Sequence, residues 1–202
     1  MAGRKRFSVE DIVEAAFGIV RREGVRRLTA RAIADALNAS TMPVYTHLKS
    51  MGEIEAEVVR RAWGLLREYQ LVQRSGDRYI DMGLGYVLFA RDERHLFNCI
   101  HSETYQAINA ELGEANFEFH LQRLTETDHP VFKGASRESA QKILFYGWVF
   151  SHGFASLLTS GIGREVKRMT SEKAIMGFFE EVTGIFQAGL RIKSAPPGPG
   201  VL

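Results

Sequence analysis

The chain has 202 residues, 45% of them hydrophobic and 25% charged, with a formal net charge of +2, which is enough length and an ordinary balance for one or two packed globular domains. Its apolar runs stop short of the roughly 20 residues a membrane helix needs; the most hydrophobic stretch, 143–158, is interrupted by Ser151 and His152, and the opening MAGRKRFSVEDIVEAA lacks the apolar segment of a secretory signal, so no membrane span and a cytoplasmic location are expected. A single cysteine, Cys99, excludes an internal disulfide, and no zinc-finger spacing of Cys and His occurs, so neither a metal nor a cofactor is expected.

Apolar residues recur at three and four throughout, strand-like alternation is absent, and the chain is expected to be all-α, with about nine helices. Ser8, with Asp11 three positions later, predicts the start of a first helix whose inner stripe is Val9, Ile12, Val13, Ala16, Ile19 and Val20, and Gly24 predicts its end. Thr29 predicts the cap of a short second helix with Ile33, Ala34 and Leu37 inward. After a turn at Asn38-Ala39-Ser40, a third short helix is expected over Thr41–Leu48, with Pro43 in its first turn, where a missing N–H does no harm. Ser50 and Glu53 form a capping-box pattern that opens a longer fourth helix running towards Gln70. Further helices are expected near Arg78–Asp92, Arg94–Ser102, Ile108–Thr127 (with Gly113 a weak point), Glu138–Ser160 and Glu172–Ile192. The ending SAPPGPGVL cannot continue a helix and is expected to be disordered.

This divides the chain into a head, 1–49, a helical body, 50–193, and a tail, 194–202. The head holds nine basic residues against five acidic ones, a net of +4, leaving the remainder at −2. A basic head on a slightly acidic body suits phosphate binding, although solvated charge on a helix surface accounts for it as well. Arg4, Lys5 and Arg6 form either a basic arm that meets DNA or a solvated terminus. Two helices joined by a tight turn, supported by a preceding amphipathic helix, make the geometry that sets one helix across the phosphate backbone and the next in the major groove. Ser40, Thr41, Tyr45, Thr46, His47 and Lys49, gathered in ten positions, are donors able to meet phosphates or base edges.

Residues 9–54 resemble the TetR-family DNA-binding domain: Ile12 with Ala15-Ala16, Ile19-Val20, Gly24, Leu28-Thr29, Ile33-Ala34, Leu37, then STMPVYTHL at 40–48 with its Tyr-x-His. The resemblance implies a helix-turn-helix regulator, most simply a repressor, that binds a palindromic operator in double-stranded DNA as a homodimer and is released by a small ligand. It implies further that Thr29, Ser40, Tyr45, His47 and Lys49 hold phosphates, while Thr41, Met42, Pro43 and Thr46 face bases. The sequence departs from the family's pattern where Met51 replaces a frequent Lys, Met42 a frequent Gly and Val44 the usual Leu.

In the body, the last two long helices carry more apolar surface than one helix face hides, which suits a four-helix bundle built by two subunits. Trp148, His152, Phe154, Phe178, Val182 and Phe186 are the expected dimer residues, and the stretch at 148–161 is also similar to TetR-family regulatory domains. The alternative is that these stripes form the core of one chain. Met82, Tyr86, Phe89, His101, Tyr105, Phe117, His120 and Trp148, aromatic with scattered polar tips, are the expected lining of a pocket for a small apolar or aromatic compound, or else ordinary core. His101 and His120 with Glu103 or Glu118 are the residues an enzyme would use, but no nucleophile elbow, phosphate loop or HExxH accompanies them, and a non-enzymatic protein is expected. A helical adaptor that binds only proteins is the other alternative.

Overall fold

The computed structural model describes residues 7–42, 50–127, 129–160, 162, 166–169 and 171–194, with the side chains at 167 and 187–194 outside that description. Eight α-helices and no strand occur among the described residues: α1 (Val9–Glu23), α2 (Ala30–Ala36), α3 (Met51–Leu71), α4 (Arg78–Asp92), α5 (Arg94–Ile100), α6 (Gln106–Thr125), α7 (Arg137–Ser160) and α8 (Glu172–Ser194). None of them is long and apolar enough to cross a membrane. The expected third short helix, Thr41–Leu48, lies outside the described residues from 43 onward, as do the basic arm at 4–6 and the tail from 195.

The chain packs as two units, one of residues 1–68 and 89–118, the other of 69–88 and 119–202. In the first unit the helix starts are set by local chemistry. Ser8 Oγ accepts the Asp11 N–H at 3.1 Å while Asp11 Oδ2 accepts the Ser8 N–H at 2.8 Å, so two amides that begin α1 are satisfied reciprocally. Ile12, Val13, Ala16, Ile19 and Val20 are buried as one stripe, whereas Val9, at the solvent end, is 42% exposed. Gly24 ends α1 at a φ of +86°, and a Cβ there would lie 3.1 Å from the His95 ring. Thr29 Oγ1 caps α2 by accepting the Ala32 N–H at 3.1 Å.

The end of α2 is a Schellman closure. Ala39 N–H donates to Ala34 O at 2.9 Å and Asn38 N–H to Asp35 O at 3.1 Å, with Asn38 left-handed at φ +51°. Asparagine tolerates that conformation better than other side-chain-bearing residues, which explains the NAS turn. Ser50 Oγ then accepts the Glu53 N–H at 3.3 Å at the start of α3.

Side-chain pairs tie the elements of this unit together. The half-exposed Arg21 clamps the buried Glu93 with two nitrogens, Nε to Oε2 at 2.8 Å and Nη2 to Oε1, which draws the end of α1 onto the start of α5. Arg61 on α3 reaches Glu10 at 2.5 Å and Glu14 at 2.6 Å. Trp63 Nε1 donates to Asn109 Oδ1 at 3.0 Å, and Arg67 Nε donates to Asn116 Oδ1 at 3.1 Å, joining α3 to α6. Gly113, expected as a weak point, lies inside the unbroken α6, where a Cβ would meet the Trp63 ring at 3.3 Å; it is a seat for that indole.

In the second unit α7 and α8 interlock through aromatic rings. Phe150 meets Phe179 at 5.2 Å and Phe186 at 6.2 Å, and Phe154 meets Phe178 at 5.1 Å. Helix α4 approaches closely enough that a Cβ on Gly83 would fall 2.7 Å from Phe179. Its start is fixed by Asp77, whose Oδ1 accepts from Tyr79 N–H at 2.8 Å, Ile80 N–H at 3.1 Å and His129 at 2.9 Å. His129 Nδ1 accepts the Val131 N–H, so the proton shared with Asp77 is on Nε2.

Candidate functional site

The described surface of the head carries Thr29, Ser40, Thr41 and Met42 exposed, Met42 by 61%. The other residues expected to meet DNA, Pro43, Tyr45, Thr46, His47 and Lys49, lie outside the described residues. Arg22, Arg26, Arg27 and Arg31 are exposed, and no ion pair joins any of them to another described residue. The acidic side chains Glu10 and Glu14, by contrast, are engaged by Arg61. Arg61 of α3 thus engages two carboxylates of α1, while Arg22, Arg26, Arg27 and Arg31 are exposed in the same stretch as the exposed Glu23 and Asp35.

The residues expected to line a pocket are divided between the two units. Phe89 is fully buried in the first unit. In that unit His101 is exposed and stacks edge-on against Phe97 at 4.6 Å, while Tyr105 and Phe117 are half-buried. In the second unit, Met82 lines a small cleft, partly open to solvent, with Tyr79, Phe150, Phe179, Val182 and Phe186. Its polar features are Ser151, which donates to Gly147 O at 2.8 Å, and the buried Thr183. Its walls are otherwise mostly apolar. Val182 and Phe186, expected at a dimer interface, therefore also border this cleft.

Tyr86, Trp148 and His152 form a separate cluster. The buried Tyr86 hydroxyl lies 2.8 Å from His152 Nδ1, and the Trp148 and His152 rings are 5.7 Å apart. Burial lowers the His152 pKa below its ordinary 6.5, and it raises that of the Tyr86 phenol, because a low-dielectric site disfavours both charged forms. His120 is buried elsewhere in the same unit, with its Nε2 3.1 Å from Gln70 Oε1.

The expected dimer residues separate by burial. Phe154 is buried among Phe178 and Phe179 of its own chain, and Phe178, Val182 and His152 are half-buried. Trp148 and Phe186 stand out with Phe145, Tyr146, Val149, Leu157 and Ile185, all between 42% and 65% exposed. Phe145, Tyr146 and Val149 are not among the expected residues. Their spacing around Trp148 was the available signal, because apolar residues on more than one face of a helix need a second surface to cover them. Among the described residues no group of three or more His, Cys, Asp or Glu side chains is placed to hold a metal ion.

No protein-family model matches the chain, and no curated protein sequence does. A solved structure described as a protein with unknown function from Rhodococcus sp. RHA1 is similar, with a TM-score of 0.64 over 90% of this chain and 96% of that chain at 18% sequence identity. At that identity the likeness is one of fold.

Proposed function

We propose that this chain is a TetR-type transcription regulator, a homodimeric repressor that reads a palindromic operator with residues 29–49 and is released by a small apolar or aromatic ligand. The observation that carries the reading is the sequence of capped α2, left-handed Asn38 and exposed Ser40-Thr41-Met42, followed along the chain by the Tyr-x-His segment, in a head whose Arg22, Arg26, Arg27 and Arg31 are exposed. A Schellman closure turns the chain sharply after a helix only seven residues long, as a helix-turn-helix requires before its reading helix. Phosphate contacts come from Thr29, Ser40, Tyr45, His47 and Lys49, and bases are met by Thr41, Met42, Pro43 and Thr46. Met42 and Pro43 favour thymine methyl groups over hydrogen-bonded readout.

One head makes too few contacts for specific binding, so two must be held at half-site spacing. The exposed apolar face of α7 and α8, centred on Trp148 and Phe186, supports pairing with a second copy. The cleft bordered by Met82, Phe150 and Phe179 supports an apolar or aromatic ligand. Ligand releases DNA only if it binds better to the dimer arrangement whose heads are wrongly spaced, and α3, which begins directly after the reading segment, carries that change.

Fluorescence anisotropy with the promoter duplex beside the protein's own gene tests the DNA reading. Binding should exceed that to a scrambled duplex and fall steeply with salt, and Tyr45→Ala with His47→Ala should weaken binding to all sequences and flatten the salt slope. Equal binding to both duplexes, or none to either, removes this function.

A further inference from the structure

In the second unit, three side chains link the interior to the exposed apolar face of α7. The hydroxyl of the buried Tyr86, on α4, lies 2.8 Å from Nδ1 of the half-buried His152, and its oxygen accepts a hydrogen bond from the Trp148 indole, a group that can only donate. The arrangement that matches every one of these groups has the Tyr86 O–H donating to an unprotonated His152 Nδ1. Protonation breaks it. Nδ1 then carries a hydrogen, the Tyr86 oxygen faces two donors, and its own O–H, in a residue only 3% exposed, loses that acceptor.

Trp148 and His152 are four residues apart on one helix face, so the change falls on the surface that exposes Phe145, Tyr146, Val149 and Leu157. No Asp, Glu, Lys or Arg occurs at 143–160 on α7, at 82–90 on α4 or at 182–190 on α8. The titratable groups of those stretches, His152 itself aside, are Tyr86 and Tyr146, and Lys142, one position before the α7 stretch, pairs with Glu138. Pairing about a two-fold axis brings the same patch to both sides. A neutral face meets no like charge there, which suits a second copy of this chain, whereas protonated His152 would place one cation on each side.

We propose that protonation of His152 switches self-association off: the neutral ring holds Trp148, through Tyr86, in the pose that pairs two copies, and the protonated ring releases it and separates them. This rests on the pairing of two copies proposed above and adds the proton that controls it. Burial gives the sign. It already holds the His152 pKa below the ordinary 6.5, and a second copy covers the ring further, so the paired state disfavours the charged form more and pairing weakens as the pH falls below that value.

Sedimentation velocity of the full chain between about pH 7.5 and about pH 5.5, with helical circular dichroism followed in parallel, tests the switch. The dimer dissociation constant should rise by about tenfold or more across that range while the helix signal holds, since two histidines titrate per dimer. It should stay flat in His152→Asn, whose amide oxygen still accepts from Tyr86 but takes up no proton. In a Trp63→Phe background Trp148 is the remaining tryptophan, and acrylamide should quench it more readily as the pH falls; adding Tyr86→Phe should make it equally accessible at pH 7.5. A flat dissociation constant in the parent, pH dependence retained in His152→Asn, or Trp148 quenching unchanged by Tyr86→Phe would overturn the switch and leave the pairing standing. A chain that is monomeric at every pH would overturn the pairing and the switch with it.

Discussion

Replacing Gly85 by Ala sets helix propensity against packing. Inside a helix such as α4, Gly→Ala ordinarily stabilises by about 0.5–1 kcal/mol, because Gly loses more backbone entropy on folding. At Gly85, however, a Cβ would fall 2.3 Å from Tyr69 O and 2.6 Å from Gln70 Cα, main-chain atoms of α3 that cannot swing aside as a side-chain tip can. An ordinary contact begins near 3.4 Å, so one helix must move by about 1 Å relative to the other. Overpacking of that kind costs about 1–3 kcal/mol and sometimes more, which outweighs the propensity gain. A net loss near 2 kcal/mol corresponds to a fall in Tm of about 4–8 °C for a chain of this size. Gly64 is the internal control: it is exposed in the middle of α3 with nothing within 4 Å of an added Cβ, so Gly64→Ala should raise Tm by about 1–4 °C. Calorimetric or urea unfolding of the two variants measures the difference in sign. A Gly85→Ala protein as stable as the parent would refute the close approach of α3 and α4 at this point.

Asn38→Val should cost about 1–2 kcal/mol, and Asn38→Gly should be nearly neutral, because only the first forces a β-branched side chain into the left-handed region; urea unfolding separates them. Trp148→Glu combined with Phe186→Glu should convert a dimer to a monomer in sedimentation or light scattering while preserving helical circular dichroism, since both side chains are exposed within the chain; loss of helix instead would make this face part of the core. For His152 the folded state holds the pKa below 6.5, so above 6.5 the neutral ring carries no penalty. As pH falls through 6.5 the unfolded chain takes up the proton first, and stability declines until the folded pKa is passed. Denaturant titrations between pH 7.5 and about pH 5 should show that decline, reduced in His152→Asn, which retains an amide near the Tyr86 hydroxyl.

Most helix boundaries were legible because they are written locally. Ser8, Thr29 and Ser50 each satisfy amides within three residues, and the ends at Gly24 and Asn38 follow from the backbone conformations those residues allow. Helix α4 runs over the expected Arg78–Asp92, while the helix expected over 94–102 ends at Ile100, where a separate turn, Glu103–Tyr105, is capped by Ser102. Periodicity marked Phe154 and Trp148 as apolar but not which way each points. Phe154 lies among Phe178 and Phe179, and Trp148 stays 42% exposed with its ring against His152.

What the sequence determined alone, then, is the all-helical character, the caps, and the concentration of basic residues and hydroxyls in the first 49 positions, all consequences of short-range hydrogen bonding and side-chain type. Tertiary structure decided which carboxyls are matched. Glu93 receives a two-point clamp from Arg21, 72 residues away, whereas Asp81 keeps an oxygen without a donor among the described residues. It also decided that Gly113 is a seat for Trp63 and that Gly85 is a point of helix contact. Burial and pairing arise only when distant segments exclude water from one another, and no local pattern records which segments those are.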